Sequence, residues 1–420
     1  MIKTHEAAVS FTLASLVCGS LLAPPSAAAD DALASARALL ARHPVFDGHN
    51  DLPGAIREST SAPRDIEAYD LRRRTPGQTD LERLHKGGVG AQFWSVYVPA
   101  GSGSRMQLEQ IDIARRMIAR YPEALAFATT AAEVEQAMKA GTIASLLGME
   151  GGHAIENSLG ALRAFYALGA RYMTLTHSKT LDWADAAGDT PRHSGLTRFG
   201  EEVVREMNRL GMLVDLSHVA PDTMDDALRV SEAPVIFSHS SARALCDTPR
   251  NVPDSVLAQL PKNGGVVMVT FVNAFISKEF ERAALPLWKE YEARSKGISD
   301  PAALQALRQE QAARMPKIQV TVAQIADHVE HVRKVAGVEH VGLGGDYDGN
   351  DSWPVGMEDV SGYPKLFAEL ARRGWSEQDL ARLANGNVLR VLRQAEDVAR
   401  KLQQARPASV ATIEALDAGR

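Results

Sequence analysis

The chain has 420 residues, 45% of them apolar and 23% charged, with a formal net charge of −6. This is the composition of a folded globular protein long enough for one large α/β domain. The acidic balance, with no basic run interleaved with aromatics, argues against nucleic acid or an anionic membrane as partner.

At the N-terminus, Lys3 precedes an apolar stretch over residues 7–23, then Pro24, Pro25 and the small-residue run Ala27, Ala28 and Ala29. That order is a secretory signal peptide over residues 1–29, with the mature chain, 30–420, in the periplasm or the medium. Ser10, Thr12, Ser15, Gly19 and Ser20 dilute the stretch, which is short for the ~30 Å of a bilayer core, so no membrane anchor is expected. The only cysteines are Cys18 and Cys246. Removal of the leader leaves Cys246 alone, so stability must come from a large core rather than a disulfide.

Eight short apolar runs then follow, each bounded by Gly, Pro or polar residues: 44–47, 90–98, 143–149, 172–176, 213–216, 235–238, 265–271 and 340–344. Such runs suit strands buried on both faces of a parallel sheet. Segments 131–139, 159–168, 200–210 and 224–230 place apolar residues three or four apart, as helices do, and Ser376 with Asp379 marks another helix start. Strand–helix alternation repeated eight times predicts a (β/α)8 TIM barrel forming a single domain. An open doubly wound sheet is the rival, but the glycine-rich phosphate turn it would carry is missing after the first strand. Residues 277–317, long and charged, read as a helical insertion between strands 7 and 8, either a lid or subunit contact or a merely solvated excursion.

The chemistry gathers where these runs end. His49 and Asp51 follow the first strand, Glu150 the third, His177 the fourth, His218 the fifth, His239 the sixth and Asp346 the eighth. The C-terminal mouth is where barrels build active sites. With only 12 histidines in the chain, four at strand ends is a pattern rather than scatter. Singly, each has a bland explanation: a His-x-Asp turn, a carboxylate capping a helix, a satisfied core histidine. Together they make a donor set for zinc or a similar ion. His49 and Asp51, two apart on an extended segment, should point to one side. The set exceeds what one tetrahedral site needs. Two metals bridged by Glu150 use it economically, one held by His49, Asp51 and Glu150, the other by Glu150, His218 and His239. No Gly-x-Ser-x-Gly elbow supports a serine hydrolase around Ser238 and Ser240.

The motifs FDGHNDLP (46–53), GMEGG (148–152), LTHS (175–178), DLSH (215–218), FSHSS (237–241), RNVPD (250–254), GGDYDG (344–349) and GNVLR (386–390) resemble those of the renal or membrane dipeptidase family of zinc peptidases. The resemblance runs from about residue 44 to 394. It implies a barrel with two zinc ions bridged by Glu150 and a dipeptide substrate, including dipeptides with a D-residue at the C-terminal position. It further implies that Arg250 and His177 handle substrate, that Asp346 is the acid/base group, and that the protein is a homodimer. Phe275 stands where an aromatic hydroxyl is expected, which touches fine substrate preference. The alternatives are another binuclear amidohydrolase, such as an N-acyl-amino-acid deacylase or lactonase, and a non-catalytic metal- or solute-binding protein. The first would favour a carboxylated lysine where Glu150 stands, and the second gives no reason for Asp346 and His177 at the same mouth.

Overall fold

The structure is a computed structural model that describes residues 27–298 and 300–418. The leader read over residues 1–29 lies outside them up to Ser26. No helix among the described residues is long and apolar enough to cross a membrane.

Nine parallel strands form one sheet: β1 (Val45–Asn50), β2 (Val89–Ser95), β3 (Leu125–Phe127), β4 (Ile143–Glu150), β5 (Ala170–Thr174), β6 (Leu213–Asp215), β7 (Ile236–Phe237), β8 (Val266–Val269) and β9 (Val341–Leu343). The hydrogen-bonded order closes on itself through β1–β2, β2–β4 and on through β9 back to β1. Eight strands therefore make the (β/α)8 barrel, and each corresponds to one of the eight apolar runs. The ninth, β3, was not legible. It pairs with the N-terminal half of β4, on the edge that β5 takes over further along. Its three residues, Leu125, Ala126 and Phe127, carry too little apolar length to stand out.

Alternation along the strands divides the core. Phe46, Phe93, Leu146, Tyr172, Leu213, Ile236 and Met268 belong to one cluster, joined by Val388, Leu389, Val391 and Leu392 of the C-terminal helix Asn387–Ala405. Trp94, Leu147, Met173, Val214, Phe237 and Val267 face the larger cluster shared with the surrounding helices. The C-terminal helix seals the end where the strands begin, since the Asn387 amide donates to the Val338 and Val341 carbonyls at 2.7 Å each. The mouth where the strands end is left for chemistry.

The insertion is present between β8 and β9 as two helices, Lys278–Ser295 and Pro301–Arg314. Beneath it, the helix Val322–Ala336 carries His328, 1% exposed, whose Nδ1 accepts the Ala242 N–H while Nε2–H donates to the Ile276 carbonyl, both at 3.0 Å. One neutral imidazole thus ties the loop after β7 to the loop after β8. Burial pushes its pKa from 6.5 down to about 4. The unfolded chain takes up this proton first, so the stability contributed by neutral His328 is complete above about pH 6.5 and is lost as pH falls toward 4. In melts between pH 7.5 and 4.5, the stability advantage of wild type over His328→Gln should shrink with falling pH. A pH-independent difference would contradict this account.

Candidate active site

All the residues singled out at the strand ends meet at one mouth. Asp51, Glu150, His177, His218, His239, Arg250, Phe275 and Asp346 line a single cavity of about 550 Å³. His49 lies directly beneath, fully buried. The expected reason for the His49–Asp51 pairing was incomplete. The strand stops at Asn50, and Asp51 begins the next helix with φ −93° and ψ 20°. The turn still brings His49 Nε2 to 3.1 Å from Asp51 Oδ2.

Glu150 is the hub. Its Oε1 lies 3.0 Å from His218 Nε2, 3.4 Å from His239 Nε2 and 3.7 Å from His177 Nε2, and its Oε2 lies 3.5 Å from His49 Nε2. Asp346 Oδ1 reaches within 4.0 Å of His49 Nε2. Among the described residues the donor atoms fall into three groups, each within 4.8 Å: His49, Glu150 and His239; Glu150, His177 and His218; His49, Asp51 and Asp346. This grouping shares Glu150 as read from the sequence but draws His177 and Asp346 in beside the other donors. The His49 and His239 rings lie 3.9 Å apart, and the two imidazoles His218 and His239 approach to 2.8 Å through Nε2.

Two buried aspartates hold these ligands in place, and neither was singled out from the sequence. Asp47 accepts the His49 N–H at 2.9 Å and the Gln92 amide at 2.6 Å on one oxygen, and the Gly345 N–H at 2.7 Å and the Tyr363 hydroxyl at 2.6 Å on the other. It thereby brackets the β1 and β9 ends that carry His49 and Asp346. Asp215 does the same for β6 and β7. It accepts the Ser217 and Ser238 N–H groups at 3.1 and 2.8 Å, and the Thr174 and Ser238 hydroxyls at 2.5 and 2.6 Å. With its hydroxyl proton committed to Asp215, Ser238 Oγ accepts Nδ1–H of His239 at 2.9 Å, which fixes the tautomer and leaves Nε2 with a free lone pair. His49 Nδ1 pairs likewise with the Tyr172 hydroxyl at 2.8 Å. Tyr172 reaches that place because residue 148 is glycine: a Cβ there would lie 2.0 Å from its ring.

The backbone carries strain at the same place. His218, Asp346 and Asp348 hold φ of 69°, 62° and 63°, the left-handed region that non-glycine residues avoid. Asp348, also unforeseen, lines the cavity and is fixed by the Gln78 N–H at 2.8 Å, while burial pushes its carboxyl up to about 6.

The electrostatics suit a cation. Burial lowers His177, and lowers His218 and His239 well below the ordinary imidazole value, with the Arg250 charge adding to the effect; these rings are neutral donors. Burial would raise Glu150, but the surrounding imidazoles hold it well below the usual carboxylate range. Burial would depress His49, yet its neighbours Tyr172, Glu150 and Asp51 more than reverse this and favour positive charge at the ring. The buried His49 Nε2 makes no hydrogen bond. An orphaned imidazole nitrogen among carboxylate oxygens fits a divalent metal. Asp346 is held well above the carboxylate range by burial and by Asp51 and Glu150.

Across the cavity, burial lowers Arg250 only to about 10, so it stays charged. One N–H bonds the His239 carbonyl at 3.3 Å, the guanidinium lies 5.1 Å from the Phe275 ring centre, and Nη1 is buried without a partner. Asn251 stitches this wall together, accepting the Ser241 N–H and donating to the Cys246 and Phe275 carbonyls.

Tyr172→Phe should keep the fold and the ring packing but lose the His49 orienting bond. We expect about 10- to 100-fold weaker metal affinity with an unchanged metal-free melting temperature. Equal metal affinity in titrations of the two proteins would remove Tyr172 from that role.

The sequence profile of the membrane dipeptidase family, peptidase family M19, matches residues 33–406. Mouse Dipeptidase 3 is 44% identical over 375 residues, covering 87% of this chain and 67% of that protein. Human Dipeptidase 3 is 43% identical over 372 residues, covering 86% and 67%. Among solved structures, a metallopeptidase from Rhodobacter sphaeroides liganded with a phosphinate mimic of L-Ala-D-Ala superposes with a TM-score of 0.70 at 25% identity, covering 84% of this chain and 99% of that one. The probable dipeptidase PvdM from Pseudomonas aeruginosa shares the fold with a TM-score of 0.74 at 23% identity, covering 88% and 100%. The chain belongs to the membrane dipeptidase family of metallopeptidases, peptidase family M19.

Proposed function

We propose that this peptide-bond hydrolase acts on free dipeptides with two zinc ions bridged by Glu150, and that the leader carries it to the periplasm or the medium. The observation that carries the substrate reading is Arg250: a charged, half-buried side chain whose buried Nη1–H is unpaired, in the wall of the cavity that holds the Glu150-centred donors. His49, Asp51, Glu150, His218 and His239 would hold the metals, which when bound supply Lewis-acid polarisation of the scissile carbonyl and an activated water.

The chain's own groups do the rest. Arg250 pairs with the free carboxylate of the substrate, so a blocked or distant carboxylate loses its anchor. His177, kept neutral by burial, has one N–H to donate to the carbonyl oxygen as that atom gains negative charge. Asp346 accepts a proton from the attacking water and delivers it to the leaving amine; burial beside Asp51 and Glu150 makes its protonated form accessible, as a shuttle requires. Phe275 offers the second residue an apolar face without a hydroxyl. The related structure that holds an L-Ala-D-Ala mimic supports including D-residues at that position.

Amino-acid release from L,L and L,D dipeptides, with tripeptide and carboxyl-amidated controls, tests the reading. Hydrolysis should be confined to free dipeptides, abolished by chelation and restored by zinc. Release that survives chelation, or no release from any dipeptide, would contradict it. Asp346→Asn should retain its metal while kcat falls by about 10²- to 10⁴-fold; near-normal turnover would exclude Asp346. Arg250→Ala should raise KM about 10- to 100-fold, the worth of one or two charge-assisted hydrogen bonds, and an unchanged KM would refute its assignment.

A further inference from the structure

The two inserted helices, with the residue that follows them, supply Trp288, Tyr291, Arg308, Gln311, Ala312 and Met315 to the wall of the active-site cavity. Within the hairpin the helices are bound by charge: the Glu290 carboxylate takes two N–H groups of Arg314 at 2.6 and 2.7 Å, and Glu310 takes two of Arg294 at 2.6 and 2.7 Å. These paired forks make the hairpin one body. Its fully buried apolar attachment is at the root, at Phe280 and Ala284 of the first helix, while Trp288 and Met315 are half-buried against the core. In the second helix, Leu307 is the sole buried apolar side chain among those described.

Two ion pairs tie the hairpin across the mouth. Arg308, whose Nε also donates to the Tyr291 hydroxyl at 3.1 Å, meets Glu58 at 2.5 Å, just past the helix Leu52–Arg57 that follows β1. Glu292 meets Lys179 at 3.5 Å in the loop after β5. The side chains of Arg308 and Glu58 are 47% and 49% exposed, and such pairs are weak and screened by salt. The result is a stiff roof on weak latches.

We propose that this hairpin is a latched gate that limits the length of the substrate, with Glu58 and Arg308 as its specificity-determining pair. The inference rests on the dipeptidase reading above. Arg250 belongs to the loop after β7 and Glu58 to the segment after β1, three strands round an eight-strand ring. Arg250, Glu150, Glu58 and Arg308 line one cavity, so a peptide anchored by its carboxylate at Arg250 with its scissile bond at the Glu150 centre would extend its amino end toward the latch. The gate would then admit two residues, and a third at the amino end would have to displace the Arg308–Glu58 pair.

The test uses the metal-loaded full chain as wild type, Glu58→Ala, Arg308→Ala and the charge exchange Glu58→Arg/Arg308→Glu. Two quantities are read: the ratio of kcat/KM for trialanine to that for dialanine, and the rate at which EDTA strips the metal, which needs no hydrolysis. Each alanine variant should raise the ratio at least about 10-fold and speed stripping several-fold, and the exchange should bring both back toward wild type. Raising the salt concentration should move wild type in the direction of the single variants. Unchanged ratio and stripping in both alanine variants would overturn the gate. So would an exchange protein that behaves like the singles, which would mean that the side chains act separately. If wild type cleaves no dipeptide while stripping still follows the latch, the gate stands, and the length limit falls together with the dipeptidase reading.

Discussion

A carboxylate surrounded by four imidazoles is the constraint from which the rest of this molecule follows. Glu150 lies 5% exposed at the end of β4 with Nε2 atoms of His49, His177, His218 and His239 between 3.0 and 3.7 Å away. A buried charge without compensation costs several kcal/mol, and neutral imidazoles crowded lone pair to lone pair gain nothing from one another. The arrangement is favourable only with positive charge among the donors, supplied by a proton or, with better geometry, by metal ions. Everything beneath the cluster can be understood as holding it open for that purpose.

The holding is done mainly by two aspartates that touch no substrate. Asp47 collects four hydrogen bonds from β1, β2, the segment after β9 and Tyr363, Asp215 collects four from the ends of β5, β6 and β7, and each lies two or three residues before a histidine of the cluster. Four donors per carboxylate satisfy a buried anion fully, which is what allows two more negative charges so near the site. The closeness has a further consequence. Gly344 follows β9 where a Cβ would fall 1.9 Å from the Ser238 carbonyl, so the backbones that present Asp346 and His239 approach as nearly as backbones can. Function is thus written into the backbone as much as into the side chains, and the left-handed φ of His218 and Asp346 records the cost.

That division explains what could be read in advance. The eight barrel strands were legible because strands buried on both faces need unbroken apolar runs, and the site was legible because a parallel barrel puts every strand's C-terminal end at one mouth. The helical excursion between β8 and β9 announced itself by charge and length. Other features left no such mark. Leu125–Phe127 is too short to look like a strand. Tyr172 and Asp215 read as parts of apolar strands, although Asp215 in LVDL was a signal: a carboxylate inside a buried run needs partners. His328 and Asn251 work by reaching across loops distant in sequence, which no local pattern encodes. Whether Asp51 or Asp346 lies nearer a given imidazole depends on turn geometry, as the helical start at Asp51 shows.

Under the proposed function Glu150 would be shared between two metal ions. The most direct test of that sharing is zinc stoichiometry, measured by titration and elemental analysis on purified wild type and Glu150→Gln. Wild type should hold two zinc ions per chain, and the variant should lose tight binding of both, since removing a bridge weakens each side. A single zinc in wild type, or a Glu150→Gln protein that still holds two, would contradict it.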